Sequence, residues 1–227
     1  LPDEGRKVGA VSRYLVPDIA ILDPELTVGL PPAVTAATGL DALIHCLESY
    51  ISKKANTLSD GYSLQGLALI ASSLQEAYHN GNNVDARERM IIGACYGGMA
   101  LTASGTAAVH ALAYSIGAKY HIAHGVANSM LLVPVLERSL EMCEERVAEV
   151  GVAMGLQADA KAVLEYLRNL CEELDIPQSL ETYGYKEEDL DELVTAASKV
   201  TRLLDNNPKP FSLDDIREVF ISISGRQ

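Results

Sequence analysis

Apolar residues recur at helical spacing through most of the chain. Leu67, Ile70, Leu74 and Ala77, for example, share one stripe of a helix, because positions three, four and seven apart face the same way. This pattern predicts helices over residues 31–52, 59–78, 85–103, 104–120, 124–152, 159–174 and 185–204, and a last one that begins at Ser212. Asp85 is the expected cap of the third helix, and Ser212 with Asp215 has the spacing of a capping box.

Residues 1–30 follow a different pattern. Residues 8–15 alternate loosely between apolar and polar, and residues 18–22 form a short β-branched run between Pro17 and Pro24. Two strands cannot form a stable sheet alone, so they form either a hairpin that lies on the helices or the edge of a sheet whose other strands are absent, and we favour the edge. The predicted fold class is therefore mostly α: a helical bundle domain over residues 31–227, preceded by a short β-strand stub over residues 1–30.

Composition and charge narrow the function classes. The 227 residues carry a net charge of −13, which argues against nucleic acid or an acidic membrane surface as partner. No run of eighteen apolar residues and no signal-peptide pattern is present, so no membrane span is expected. The four cysteines are far apart and lack a Cys-x-x-Cys pair, which indicates free thiols in a reducing compartment. We expect a cytoplasmic protein.

Candidate chemistry centres on one acidic residue and three histidines. Asp41 and His45 lie four residues apart in the first predicted helix, so both side chains leave the same face. Such a pair also occurs by chance, as a purely structural contact. His110 and His124, joined by a predicted helix–turn–helix, strengthen the metal interpretation. Three imidazoles and one carboxylate suit Zn²⁺ or Fe²⁺ and would leave a site with net charge near +1.

Three stretches carry a family resemblance: "PPAVTAATGLDALIHCLESY", "VHALAYSIGAKYHIAHGVANSMLL" and "NNPKPFSLDDIREVF". Together they resemble the iron-containing (group III) alcohol dehydrogenase family, and "PDIAILDPELTVGLPP" is similar to the passage between that family's two domains. The resemblance implies Asp41, His45, His110 and His124 as metal ligands, Fe²⁺ or alternatively Zn²⁺ as the metal, and NAD(P)-linked interconversion of a small alcohol and an aldehyde or ketone.

The same resemblance implies a missing half. In the family an α/β nucleotide-binding domain precedes the point where this chain begins, which makes residues 1–30 a strand remnant and linker. No glycine-rich phosphate loop follows a strand here, and "CYGGMALTASG" is typical of helix packing. We therefore expect a fragment that binds metal, depends on the missing domain for NAD or NADP, is inactive alone, and associates as a homo-oligomer through its uncovered face.

Two pocket residues are also expected. Family members often carry a histidine four residues after the equivalent of His110, and this chain has Tyr114 there, which we expect to shape the pocket. His121 matches no ligand position, and we expect it to line the pocket or the surface. Three further residues lie beside the motifs, and each has either a role in fitting the backbone around the site or a purely structural role: Gly39, Gly125 and Asn128.

Other functions remain open at the level of sequence. A dehydroquinate-synthase-like lyase shares the overall plan, but it needs another ligand set and a more basic phosphate pocket. A glycerol-dehydrogenase-like enzyme that uses zinc is a closer variant. A non-catalytic module that binds metal or drives oligomerisation is the third alternative.

Overall fold

The computed structural model describes residues 12–225 and is built almost wholly of α-helices. Eleven occur in this part of the chain: α1 Pro32–Ile51, α2 Thr57–Ala71, α3 Leu74–His79, α4 Val84–Ser104, α5 Ala108–Lys119, α6 His124–Ser139, α7 Glu144–Ala153, α8 Ala160–Glu173, α9 Leu190–Ser198, α10 Thr201–Leu204 and α11 Leu213–Ser222. The predicted mostly α fold is confirmed.

Helix α1 lies at the centre of the bundle and packs against α2, α4 and α6. Most of its residues are buried, because small and aliphatic side chains occupy nearly its whole circumference. Glycines let its neighbours come close: a Cβ on Gly66 of α2 would lie 2.5 Å from Cys46 Sγ and 3.1 Å from the Gly93 carbonyl oxygen. Central position and close packing make α1 a rigid support for the polar residues that it carries.

A second group of helices packs around α5 and α6. Helix α5 contacts α6 and α9, α11 contacts α9 and α6, and α7 and α8 pair with each other. Phe220 of α11 and Leu112 of α5 are fully buried in the core that these helices share. All four cysteines are free thiols, as predicted. No helix of the described residues is both long and apolar enough to cross a membrane.

The expected strands are not present in the described residues. Residues 8–11 of the first expected strand lie outside the described range, and Arg13–Leu15 forms a 3-10 turn. Residues 18–22 belong to no helix or strand, and a second 3-10 turn follows at Pro24–Thr27. A strand requires a partner ladder, and no other segment between residues 12 and 225 offers one. The apolar side chains of this segment stay exposed, with Ile21 at 86% and Tyr14 at 81%.

The single helix predicted over residues 59–78 is two helices. The chain bends at Ser72 and Ser73, where the Ser72 hydroxyl donates to the Leu69 carbonyl and the Arg89 guanidinium donates to Ser73 Oγ at 2.8 Å. Serine hydroxyls that bond to backbone and neighbouring side chains compete with the helical ladder.

The predicted cap at Asp85 was also wrong, because Asn83 caps α4 by accepting from the Ala86 N–H.

Three other predicted helices begin or divide differently. The one predicted over residues 104–120 starts at Ala108, because α4 continues to Ser104 and ends at Gly105, whose φ is +77°. The helix predicted over residues 124–152 is divided into α6 and α7 by a 3-10 turn at Leu140–Met142. Residues 185–204 similarly divide into α9, α10 and a preceding 3-10 turn.

Candidate metal centre

Asp41, His110 and His124 come together where three helices meet. Asp41 lies in the middle of α1, His110 in the first turn of α5, and His124 is the first residue of α6. One ligand atom of each residue lies within 4.8 Å of the ligand atoms of the other two. Among residues 12–225, this is the one group of three or more histidine, cysteine, aspartate or glutamate side chains that lie so close together. Residues fourteen positions apart thus reach one point through a helix–turn–helix.

The short connection between α5 and α6 depends on close backbone approach. His121 has a φ of +55°, in the left-handed region that turns the chain, and its side chain is exposed. Gly125 lies directly on α1: a Cβ there would be only 2.1 Å from the Ala37 carbonyl oxygen. A side chain of any kind at position 125 would push α6 away from α1, and with it His124 away from Asp41.

His110 is held by a buried carboxylate. Its Nδ1 lies 2.7 Å from Glu48 Oε2, and both side chains are almost fully buried. Its Nε2 is buried and has no hydrogen-bond partner in the described part of the chain, although Asp41 Oδ1 lies 3.7 Å away. An unpartnered buried nitrogen is costly unless something else satisfies it. Its direction, toward Asp41 and His124, makes a metal ion a suitable partner.

Asn128 links the other two members of the group. Its Nδ2 donates to Asp41 Oδ1 at 2.6 Å and lies 3.1 Å from His124 Nε2. His124 Nε2 and Asp41 Oδ1 are 3.9 Å apart. Asn128 is one turn after His124 in α6, so it orients both groups from the same helix face.

His45 lies beside this group and not within it. Its ring stacks on the His110 ring, with centroids 4.7 Å apart and an interplanar angle of 25°. Burial, with a smaller contribution from His110, lowers the pKa of His45 to about 4. The imidazole is therefore neutral at pH 7, which is the form that binds a metal.

An open cavity of about 580 Å³ adjoins the group. Its lining includes His45, His110, His124 and Tyr114, together with residues on both sides of Gly105. The Tyr114 ring stacks against His124 at 5.9 Å, and burial raises the pKa of its phenol. Tyr114 is thus a protonated hydrogen-bond donor at the cavity wall. His121 does not line this cavity.

Gly39, the other glycine that the sequence analysis names, allows close helix packing. A Cβ on Gly39 would lie 2.4 Å from Leu74 Cδ1 and 2.9 Å from Met90 Cε, so this position lets α1 contact α3 and α4. Glu48, in contrast, was missed. It follows Asp41 by seven residues on the same face of an apolar helix, and that placement was the available signal.

The donor set fits a divalent transition metal. One carboxylate and two or three neutral imidazoles are borderline ligands of the kind that Fe²⁺ and Zn²⁺ accept. A carboxylate on the far nitrogen of a ligating histidine, as Glu48 is placed, is typical of metal sites.

Comparison with known proteins shows the family to which this chain belongs. Residues 35–223 match the family described as "Fe-containing alcohol dehydrogenase family, C-terminal". The long-chain-alcohol dehydrogenase 1 of Geobacillus thermodenitrificans is 40% identical over 214 residues, which cover 91% of this chain and 54% of that protein. The chain thus spans about half the length of the curated relatives it matches.

Solved structures give the same result. A 1,3-propanediol oxidoreductase has a TM-score of 0.83 at 36% identity, over 88% of this chain and 54% of that one. The sulfoacetaldehyde reductase of Bifidobacterium kashiwanohense, solved in complex with NAD⁺, has a TM-score of 0.88 at 27% identity, over 96% of this chain and 57% of the other. The chain belongs to the iron-containing alcohol dehydrogenase family, and it corresponds to the C-terminal helical half of its relatives.

Proposed function

We propose that Asp41, His45, His110 and His124 bind one divalent metal ion, Fe²⁺ or alternatively Zn²⁺, and that this centre serves an NAD(P)-linked alcohol dehydrogenase. The observation that carries the proposal is the buried, unpartnered Nε2 of His110, which faces Asp41 and His124 at the wall of a cavity. His45 would join the set by turning its ring away from the stack on His110. The free cysteines support a cytoplasmic location.

The chain's own residues prepare the cavity for a polar substrate. A divalent ion, when bound, supplies Lewis-acid polarisation of an alcohol or carbonyl oxygen. Asp41 offsets part of its charge, and Asn128 keeps that carboxylate in place by donating to Oδ1. Tyr114 can donate a hydrogen bond into the cavity, but its raised pKa keeps the phenol protonated near pH 7, so it does not act as a general base there.

The nicotinamide cofactor and the substrate are part of the proposal as well. The relatives named above include an alcohol dehydrogenase and a reductase solved with NAD⁺. Hydride transfer is chemistry that the cofactor performs, while the protein supplies position and charge. We infer a small alcohol and its aldehyde or ketone as the substrate pair, acted on by a protein that also contains a nucleotide-binding domain.

Elemental analysis tests the metal site. The chain is purified without a histidine tag, loaded with Fe²⁺ or Zn²⁺ and desalted, beside the double variant Asp41→Ala/His124→Ala. The control, His79→Ala/Asp85→Ala, removes one imidazole and one carboxylate that are both exposed. We expect about one metal per chain in the wild type and control, and none in the site variant. Equal metal content in all three proteins, or none in any, contradicts the proposal.

An activity assay tests the reaction. Oxidation of NADH and NADPH by short aldehydes is measured on the longest natural protein that contains this chain, with and without prior metal chelation. Aldehyde-dependent oxidation that chelation abolishes supports the dehydrogenase. Absence of oxidation with every aldehyde and both cofactors would instead favour the lyase or non-catalytic alternatives.

A further inference from the structure

Glu48 is a carboxylate inside an apolar helix with only 1% of its surface exposed. It accepts three hydrogen bonds: from the Ala107 N–H at 2.9 Å, from the Val109 N–H at 2.6 Å, and from His110 Nδ1 at 2.7 Å. A buried carboxylate is costly without such partners. Each of these three donors belongs to the start of α5, so Glu48 joins the centre of α1 to that helix end.

One part of this arrangement is capping. Residue 107, the N-cap of α5, is an alanine and has no side chain that accepts from the first N–H groups. Glu48 takes over that function from another helix, and its negative charge lies at the positive end of the α5 dipole. Capping alone explains the two backbone hydrogen bonds, but it does not explain the third bond, to the His110 ring.

The third bond fixes which ring nitrogen carries the proton. Both Glu48 oxygens also accept a backbone N–H, as the oxygens of an ionised carboxylate do, and an ionised carboxylate acts only as an acceptor. His110 Nδ1 must therefore carry hydrogen to bond with Glu48. In the neutral ring this leaves Nε2 with a lone pair and no proton, directed toward Asp41 and His124.

We propose that Glu48 is a positioning residue, which holds His110 in the Nδ1–H tautomer so that Nε2 is ready to bind the metal ion before the ion arrives. The assignment of the tautomer stands on the Glu48 contacts alone. Its consequence for metal affinity rests on the proposed function.

The variant Glu48→Gln separates positioning from packing, because it preserves volume and removes the charge. Its NH₂ group must replace one of the two oxygens. Facing His110, it donates to Nδ1 and forces the proton onto Nε2. If the NH₂ group instead faces Val109, it lies against the Val109 N–H. The amide oxygen then left beside His110 is neutral, and it is a weaker acceptor than the carboxylate oxygen. In both orientations the preference for the metal-binding tautomer falls. Glu149→Gln is the control, since Glu149 bonds to the Tyr50 hydroxyl on another side of α1.

Two measurements are made on the metal-free chain and its variants at pH 8. Long-range ¹H–¹⁵N spectra of ¹⁵N-histidine protein give the tautomer of His110, whose signal is identified by its loss in His110→Ala. Titration with Zn²⁺ against a competing chelator gives the affinity. We expect Nδ1–H in the wild type and in Glu149→Gln. In Glu48→Gln we expect population of an Nε2–H ring and a Kd raised about 10- to 100-fold. Circular dichroism confirms that each protein is folded at the temperature used.

The outcomes separate the two proposals. A wild-type His110 that is protonated at Nε2 overturns the positioning role, and so does a Glu48→Gln variant that keeps the wild-type Kd. A Glu48→Gln variant with a lower melting temperature but an unchanged tautomer shows capping alone and also overturns it. Failure of the wild type to bind Zn²⁺, with Nδ1–H still present, counts against the metal proposal and leaves the tautomer assignment standing.

Discussion

Gly125 shows how one missing methyl group sets the distance between two helices. The position where its Cβ would lie is 2.1 Å from the Ala37 carbonyl oxygen, and that neighbour is backbone, which cannot rotate aside. Ala37 is four residues before Asp41, and Gly125 immediately follows His124. The contact therefore fixes α1 against α6 within one turn of the two proposed ligands.

We expect Gly125→Ala to lower the free energy of unfolding by about 1–3 kcal/mol, since extra volume in a close-packed contact forces the backbone to shift. The same shift separates Asp41 from His124, so metal binding weakens as well. Urea unfolding and Zn²⁺ titration measure the two effects. Gly98→Ala is the matched control: a Cβ there meets nothing within 4 Å, and the change stabilises α4 by up to about 1 kcal/mol. Equal stability of the two variants contradicts the prediction.

Sequence spacing found the residues that meet, but not how each is held. Asp41, His110 and His124 were found because ligand-type residues at helical and helix–turn–helix spacing are unusual in an apolar stretch. Spacing also placed His45 on the face of Asp41, but it did not show that the ring stacks on His110. Glu48 was missed because a glutamate in a helix is normally solvated. Only the position of α5 shows that it is buried.

At the scale of elements, α11 is a helix whose first residue is determined by hydrogen bonds between neighbours in the sequence. Ser212 Oγ accepts from the Asp215 N–H at 3.1 Å, and Asp215 Oδ2 accepts from the Ser212 N–H at 2.9 Å. The two residues satisfy each other's backbone donors without help from another element. The helix then buries Phe220 against the rest of the bundle.

Ser212→Ala is expected to cost about 1 kcal/mol of unfolding free energy, because the Asp215 N–H loses its acceptor. Thermal and urea unfolding give the value, and the metal content stays unchanged because α11 contributes no member of the centre. Ser198→Ala removes a half-buried hydroxyl that donates to the Thr195 carbonyl three residues earlier in the same helix, and it serves as control with a change near zero. A Ser212→Ala protein as stable as this control shows that the capping box contributes nothing.

Some helix starts were predictable from a local cap, although the local cap of α4 was assigned to Asp85 and is Asn83; starts that tertiary contacts decide were not predictable. The starts of α8 after Asp159 and α11 after Ser212 follow from side chains that bond to backbone two or three residues on. The break at Ser72 and Ser73 could not be predicted, because it involves Arg89 from α4. The start of α5 is similar, since its cap comes from Glu48 in α1.

At the scale of the whole molecule, the bundle leaves its first described segment uncovered. Leu15, Val16, Ile19, Ile21 and Leu26 are each exposed by 66% or more. Scattered apolar residues are ordinary on a protein surface, but several close together along the chain favour association with another apolar surface.

We expect this segment to drive self-association of the chain when it is studied alone. Sedimentation velocity at increasing concentration is expected to show species larger than a monomer, and Ile19→Lys/Ile21→Lys to restore the monomer. Met142→Lys/Val152→Lys changes two other exposed apolar side chains and is the control that leaves association intact. A wild-type chain that remains monomeric at every concentration refutes the prediction.

The burial of Glu48 also has an electrostatic consequence for the metal centre as a whole. With Asp41 as the only carboxylate, a divalent ion and neutral imidazoles leave one positive charge at the wall of the cavity. Glu48 lies against the His110 ring and supplies a second negative charge. Two carboxylates and one divalent cation are electroneutral. A monovalent ion would leave one uncompensated negative charge and a trivalent ion one positive charge, so charge balance at this centre favours a divalent ion.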